Sequence, residues 1–228
     1  MQMPGDSLRQ VNPTYGSTKG KIRFSKTEVL HIIAAIAVLG IAFSFIMRGN
    51  KFDYDTTKNI ILIVIMSFIL VIFSFLLHEF GHKFVAQRYN AWSEFRAFPY
   101  GLVMALIFAV LIGFLFAAPG AVYIKGNIDK NTHGKISLAG PAVNFTISAI
   151  AIVVLIFIVP GYIGTLNLLI YRLFQMLAWL NAFLGLFNMI PVLPFDGSKI
   201  LAWNKPIYAA ALLIGIAEVA YVWIYIMS

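Results

Sequence analysis

"FSFLLHEFGHKFVAQ", Phe73 to Gln87, sets two histidines and a glutamate in the middle of an apolar run. The run reaches from Ile60 to Ala86. A helix needs about 20 apolar residues to cross the hydrocarbon core of a bilayer, so this stretch reads as a membrane span. A charge at mid-bilayer costs roughly 3 kcal/mol or more, which makes ionisable groups at that depth functional candidates. His78 and His82 are four residues apart, so on a helix both imidazoles leave one face about one turn apart. Two ring nitrogens placed that way bind one zinc ion, and Glu79 beside them is placed to take a proton from an attacking water. The competing reading is two core histidines with a paired carboxylate.

Composition agrees with a membrane setting. Of 228 residues 61% are hydrophobic and 11% charged, whereas a soluble domain carries about a quarter charged residues. Mean hydropathy is +0.86. The absence of cysteine excludes disulfides and thiolate metal sites. The net charge of +8 comes from basic residues lying between apolar runs. There they set membrane orientation, so the expected partner is the lipid bilayer and no nucleic acid. Met1 to Lys26 is polar, Gly-rich and basic, without the early apolar core of a signal peptide.

Five stretches are long enough to span: roughly Val29–Met47, Ile60–Ala86, Ile136–Val159, Ile163–Ile190 and Ile207–Met227. A sixth, Leu102–Ala118, is shorter and runs into "AAPGAVYIKG", where Pro119 and Gly120 stop a helix and "AVYI" is β-prone. The predicted fold is an all-α polytopic membrane protein of about six membrane segments, one of them re-entrant with a short β-strand or hairpin. Residues 1–28 are expected to form a cytosolic polar tail and 29–228 the membrane domain, with a motif core over about 60–203. No internal repeat is evident.

Zinc on two histidines needs a third protein ligand, with one position left open for water. His31, His133, Glu218 and Asp196 are the candidates. His31 opens the first span, His133 lies in a polar loop and Glu218 sits within the last span. Asp196 follows Pro191 and Pro194 and precedes Gly197. Those residues break the helix, and broken backbone at membrane depth is tolerated only where it lines a buried or wet cavity. Asp196 is therefore the expected third ligand.

"HEFGH", "LAGPAVNF" and "NMIPVLPFDG" follow in that order on three successive long spans. Together they resemble the site-2 protease family of intramembrane zinc metalloproteases, over about 120 residues from His78 to Lys199. The resemblance implies one zinc per chain on His78, His82 and Asp196, with Glu79 as general base. It implies that Asn188 helps hold the substrate or its oxyanion and that Pro194 and Asn144 lie near the substrate. Ser198 stands where the family often has a second glycine. No PDZ or CBS domain lies within these residues, so regulation by such domains is not expected. Compact relatives have only a β-hairpin where this chain has Leu102–Ala118.

The implied activity is hydrolysis of peptide bonds in or near the transmembrane segments of other membrane proteins. A substrate helix must unwind before water reaches its carbonyls, and an exposed strand can take up the unwound piece. Ala121, Val122, Tyr123 and Ile124 are the expected strand. A membrane transporter and a catalytically inactive zinc-binding relative are the rival readings, the first because intramembrane acids also mark ion pathways.

Two further expectations concern topology. Arg172 and Glu218 lie nine positions inward of Ile163 and Met227, so a pair between them would relieve two buried charges. His78, His82 and Asp196 can meet only if the Ile60–Ala86 and Ile163–Ile190 helices run the same way, so Lys83–Lys135 must begin and end on one side. With a cytosolic N-terminus, the outer side then holds only Arg48, Lys51 and Lys58, in keeping with the positive-inside rule. The active site is thereby expected near the cytosolic side of the cell membrane. The chain's oligomeric state is not set by its sequence.

Overall fold

The computed structural model describes residues 22–49, 60–113, 119–157 and 165–227. Helix α1 (Lys26–Gly49) is followed by α2 (Ile60–Val71), a π-helical turn (Ile72–Leu76) and α3 (Leu77–Arg88), which form one continuous helical run. Strands β1 (Trp92–Ala97) and β2 (Gly120–Lys125) flank α4 (Pro99–Ile112). Then come α5 (Lys130–Phe157), α6 (Thr165–Asn188), the short α7 (Asp196–Trp203) and α8 (Lys205–Tyr221), which ends in a π-helical turn (Val222–Ile226).

Among the described residues, five helices are long and apolar enough to cross a membrane: Lys26–Arg48, Ile60–Arg88, Lys130–Phe157, Leu168–Asn188 and Lys205–Ile226. The protein is an all-α polytopic membrane protein with one small sheet. Helices α1 and α5 begin before the apolar runs expected at Val29 and Ile136, because capping rather than hydropathy starts them. Ser25 Oγ accepts the Glu28 N–H at 3.1 Å, and Asp129 Oδ1 accepts the Thr132 N–H at 2.8 Å. His133, expected in a loop, lies in the first turn of α5. Most of the expected tail, residues 1–21, lies outside the described residues, whereas Glu28 at its end is fully buried.

Small residues let the helices approach closely. A side chain at Gly185 or Gly215 would run into the ring of Phe145 on α5, so α6 and α8 pack on α5 through glycine. One apolar cluster joins Met66, Leu70, Ala151, Leu177 and Val222, and another joins Leu39, Val71, Phe95, Leu102 and Ala105. The large side chains left on the outside are themselves apolar, among them Ile61, Leu111, Phe157 and Leu213. That is the surface a bilayer accepts.

The sheet sets the path of α4. Strands β1 and β2 are antiparallel neighbours, with Trp92 opposite Lys125, Phe95 opposite Val122 and Ala97 opposite Gly120. The Phe98 N–H donates to the Pro119 carbonyl at 3.0 Å. The chain therefore leaves the sheet at Ala97 and rejoins it at the same end. Helix α4, with 14 residues, is about 21 Å long at 1.5 Å per residue. Residues 114–118 of the expected re-entrant segment lie outside the described residues. The β-prone "AVYI" lies within β2, as read from the sequence.

The expected Arg172–Glu218 pair does not form among the described residues. Arg172 Nη1 donates to Gln175 Oε1 at 2.9 Å, and Gln175 Nε2 passes on to the Ile226 carbonyl at 2.5 Å. Equal depth on two helices does not fix the direction in which each side chain points. Gln175, three positions on along the same helix, is within reach whatever the rotation of α6.

Candidate metal centre

Helix α3 presents His78 and His82 on one face, and the first residue of α7 brings Asp196 to them. The two Nε2 atoms are 3.0 Å apart, and Asp196 Oδ2 lies 3.5 Å from that of His78 and 3.1 Å from that of His82. All three residues are buried. A tetrahedral zinc ion bound at about 2.0–2.1 Å by each donor holds those donors about 3.3 Å apart. The observed edges bracket that spacing. His31, His133 and Glu218 are not part of the group.

The other ring nitrogens are fixed from outside. His82 Nδ1 lies 2.7 Å from the Ile136 carbonyl of α5, so it carries the proton and leaves Nε2 free as a donor. His78 Nδ1 lies 2.5 Å from Asn144 Oδ1, which selects the same tautomer if the amide oxygen accepts. The Asn144 amide nitrogen donates to the Ser74 carbonyl at 2.9 Å and to Asn181 Oδ1 at 2.7 Å. Those two bonds orient the amide with its oxygen toward His78. Asn181 in turn donates to Ser74 Oγ at 2.9 Å. Ser74 belongs to the π-helical turn just ahead of the two histidines, and single π turns often occur at functional sites.

Space for an ion is provided by glycine. A side chain on Gly140 of α5 would collide with the Nε2 atoms of both histidines, so "AGP" supplies the open wall of the centre. A side chain on Gly197 would strike the Met189 carbonyl. Glycine after Asp196 therefore allows α7 to start tight against the end of α6. Ser198 donates its hydroxyl to the Phe195 carbonyl at 2.8 Å. Lys199 stands 3.6 Å from the second oxygen of Asp196.

Glu79 is buried beside the triad, and its Oε2 accepts the Val122 N–H of β2 at 2.9 Å. Val122 and its neighbours Ala121, Tyr123 and Ile124 thus lie on the strand that reaches Glu79. Asn188, the last residue of α6, donates to the Leu184 carbonyl at 3.0 Å and has no hydrogen bond to the triad among the described residues. Pro194 is exposed in the loop between α6 and α7. Asn144 is fully buried, with its amide engaged by His78, Ser74 and Asn181.

Sequence reasoning passed over Asn181 and Ser74, because it screened only ionisable groups for misplaced polarity. An asparagine inside "LAWLNAFLG" is itself a signal, since an amide in hydrocarbon needs partners as well. It also passed over the pairing of Glu28, at the end of the expected tail, with Lys83.

No family model matches the chain, and no solved structure does. Two proteins of Methanocaldococcus jannaschii do. The chain is 38% identical over 206 residues to one named "Putative zinc metalloprotease", a match that covers 90% of this chain and 97% of that protein. It is 34% identical over 134 residues to one named "Zinc metalloprotease", covering 59% of this chain and 32% of that protein. The first match takes in nearly the whole of both chains, and the donor set that the fold gathers is one that suits zinc. With zinc as its metal, the chain belongs to the family of zinc metalloproteases represented by that Methanocaldococcus protein.

Proposed function

We propose that this protein is an intramembrane zinc endopeptidase of the site-2 protease type. It would cut transmembrane proteins within or near their membrane segments, working from the cytosolic side of the cell membrane. One observation carries the reading: the donors on α3 lie inside the helical run Ile60–Arg88, long and apolar enough to cross the membrane. A peptidase built to meet soluble substrates has no use for that depth.

His78, His82 and Asp196 would hold the ion, which when bound makes a water nucleophilic near neutral pH and polarises a carbonyl. Glu79 takes the water proton and returns it to the leaving amine. Its bond to Val122 supports this role. The carboxylate occupies the position at the outer edge of β2 where the carbonyl of an added strand would sit. A peptide that pairs with Ala121–Ile124 takes over the Val122 N–H from Glu79, which frees the carboxylate beside an extended chain whose carbonyls are no longer shielded by helix hydrogen bonds. Asn188 and Pro194 lie at and beyond the end of α6; in this reading they would contact the substrate, with Asn188 donating to the developing oxyanion after leaving Leu184.

The test is cleavage of a purified single-span substrate in detergent, with the cut mapped by mass spectrometry. Cleavage within or at the border of the apolar span, lost with a chelator and restored by zinc, is expected. Cleavage only in soluble tails, or cleavage indifferent to the chelator, rules the reading out.

A further inference from the structure

Each strand of a two-stranded sheet has a second edge, and the two second edges here are treated differently. In an antiparallel pair the N–H and C=O groups of alternate residues turn away from the partner strand. On β1 these belong to Ser93, Phe95 and Ala97, and side chains from α1 and α3 meet all three. The Phe95 N–H donates to Glu28 Oε1 at 2.9 Å, and the Ala97 N–H donates to His31 Nδ1 at 3.2 Å. The Ser93 carbonyl accepts from Lys83 Nζ at 2.8 Å. On β2 the outward residues are Gly120, Val122 and Ile124, and among the described residues only Glu79 reaches that edge.

Glu28 and Lys83 hold this arrangement together. Lys83 Nζ lies 2.9 Å from both carboxylate oxygens, and both side chains are wholly buried. The ammonium also lies 4.6 Å from the centre of the Phe24 ring. A buried pair of this kind adds little net stability over apolar side chains of the same volume, and here each partner also bonds to the β1 backbone, Glu28 at Phe95 and Lys83 at Ser93. Lys83 follows His82 directly in the chain, so the helix that carries two metal donors also carries the group that grips β1.

We infer that Glu28 and Lys83 are positioning residues for the substrate. Their ion pair closes the β1 edge and sets β2 where an extended peptide added to its outer edge, in place of the Glu79–Val122 bond, lies against Glu79. The pair acts only through the sheet and touches neither metal nor substrate. The inference rests on the proposal that substrate adds to β2.

The double variant Glu28→Gln/Lys83→Met removes both charges without leaving either one buried alone. Two measurements on the full chain in detergent decide the matter. In the first, zinc content and kcat stay near those of the parent, while KM for a single-span substrate rises by about tenfold, the effect of losing one or two well-placed hydrogen bonds. In the second, a nitroxide attached at Tyr123→Cys, the only cysteine in the chain, becomes more mobile. Unchanged KM with unchanged mobility overturns the inference, and so does a fall in kcat at constant KM. If the double variant does not fold, Glu28→Gln/Lys83→Gln again leaves no charge buried alone and keeps an uncharged partner for the Phe95 N–H and for the Ser93 carbonyl. It should show the same changes in smaller degree, and their absence overturns the inference. Should the parent chain cleave no membrane substrate, the proposed function fails. The nitroxide still decides whether the pair positions the strand, since greater mobility supports it and parental mobility refutes it.

Discussion

Asn144 Oδ1 lies 2.5 Å from His78 Nδ1, so an asparagine on α5 orients a metal donor on α3. The contact gives the "AGPAVN" motif two tasks within about one turn of helix: Gly140 clears room for the ion and Asn144 sets the tautomer. Groups that orient a donor in this way typically account for 10–100-fold in metal affinity. Asn144→Leu should weaken zinc binding by about that factor, with the helices retained. Competition against a chelator of known affinity measures it, and parental affinity would show that the contact does not tune the metal.

Asn181 acts one step further out. It supplies the oxygen that takes one Asn144 N–H, and it bonds to Ser74 itself. Asn181→Leu should lower zinc affinity by less than Asn144→Leu does. Combined, the two changes should cost less than their sum, because residues in one hydrogen-bond network couple. Strict additivity in a double-mutant cycle would mean that Asn181 does not act through Asn144.

Gly140→Ala places a methyl group against both histidine nitrogens. The variant should keep its helical circular dichroism and lose stoichiometric zinc. Metal analysis after size-exclusion chromatography checks this, and a full complement of zinc would refute the assignment of Gly140 as the open wall.

Trp92 and Lys125 face each other, so the chain enters and leaves the sheet segment side by side. Single cysteines at Asn90 and Asn127 should be protected alike from an impermeant thiol reagent in intact cells, while one at residue 161 is labelled. Labelling at Asn127 with protection at residue 161 would overturn the cytosolic placement.

What was legible in the sequence was what local geometry dictates. The spacing of His78 and His82 is a property of the helix alone. Asp196 stood out because Pro191 and Pro194 break the backbone before it, and the structure brings all three residues together. "AVYI" could be read as a strand because β-branched and aromatic residues follow a helix stop. The partners of these groups depend on how helices rotate against one another, which no local pattern states. For that reason Arg172 was matched by depth to Glu218, while in the fold it turns to Gln175. Lys83 looked like a boundary cation and Glu28 part of a tail, yet they form a buried pair. The partners of the Asn144 amide, His78, Ser74 and Asn181, likewise come from other stretches of the chain.

The most direct test of the central claim replaces Glu79 by glutamine and measures zinc content and cleavage of a single-span substrate on the same sample. Glu79→Gln should retain one zinc per chain. Its cleavage rate should fall by roughly 10²–10⁴-fold, the usual contribution of a general base. A variant that holds zinc and cleaves at the parental rate would show that Glu79 is not the base and would contradict the account.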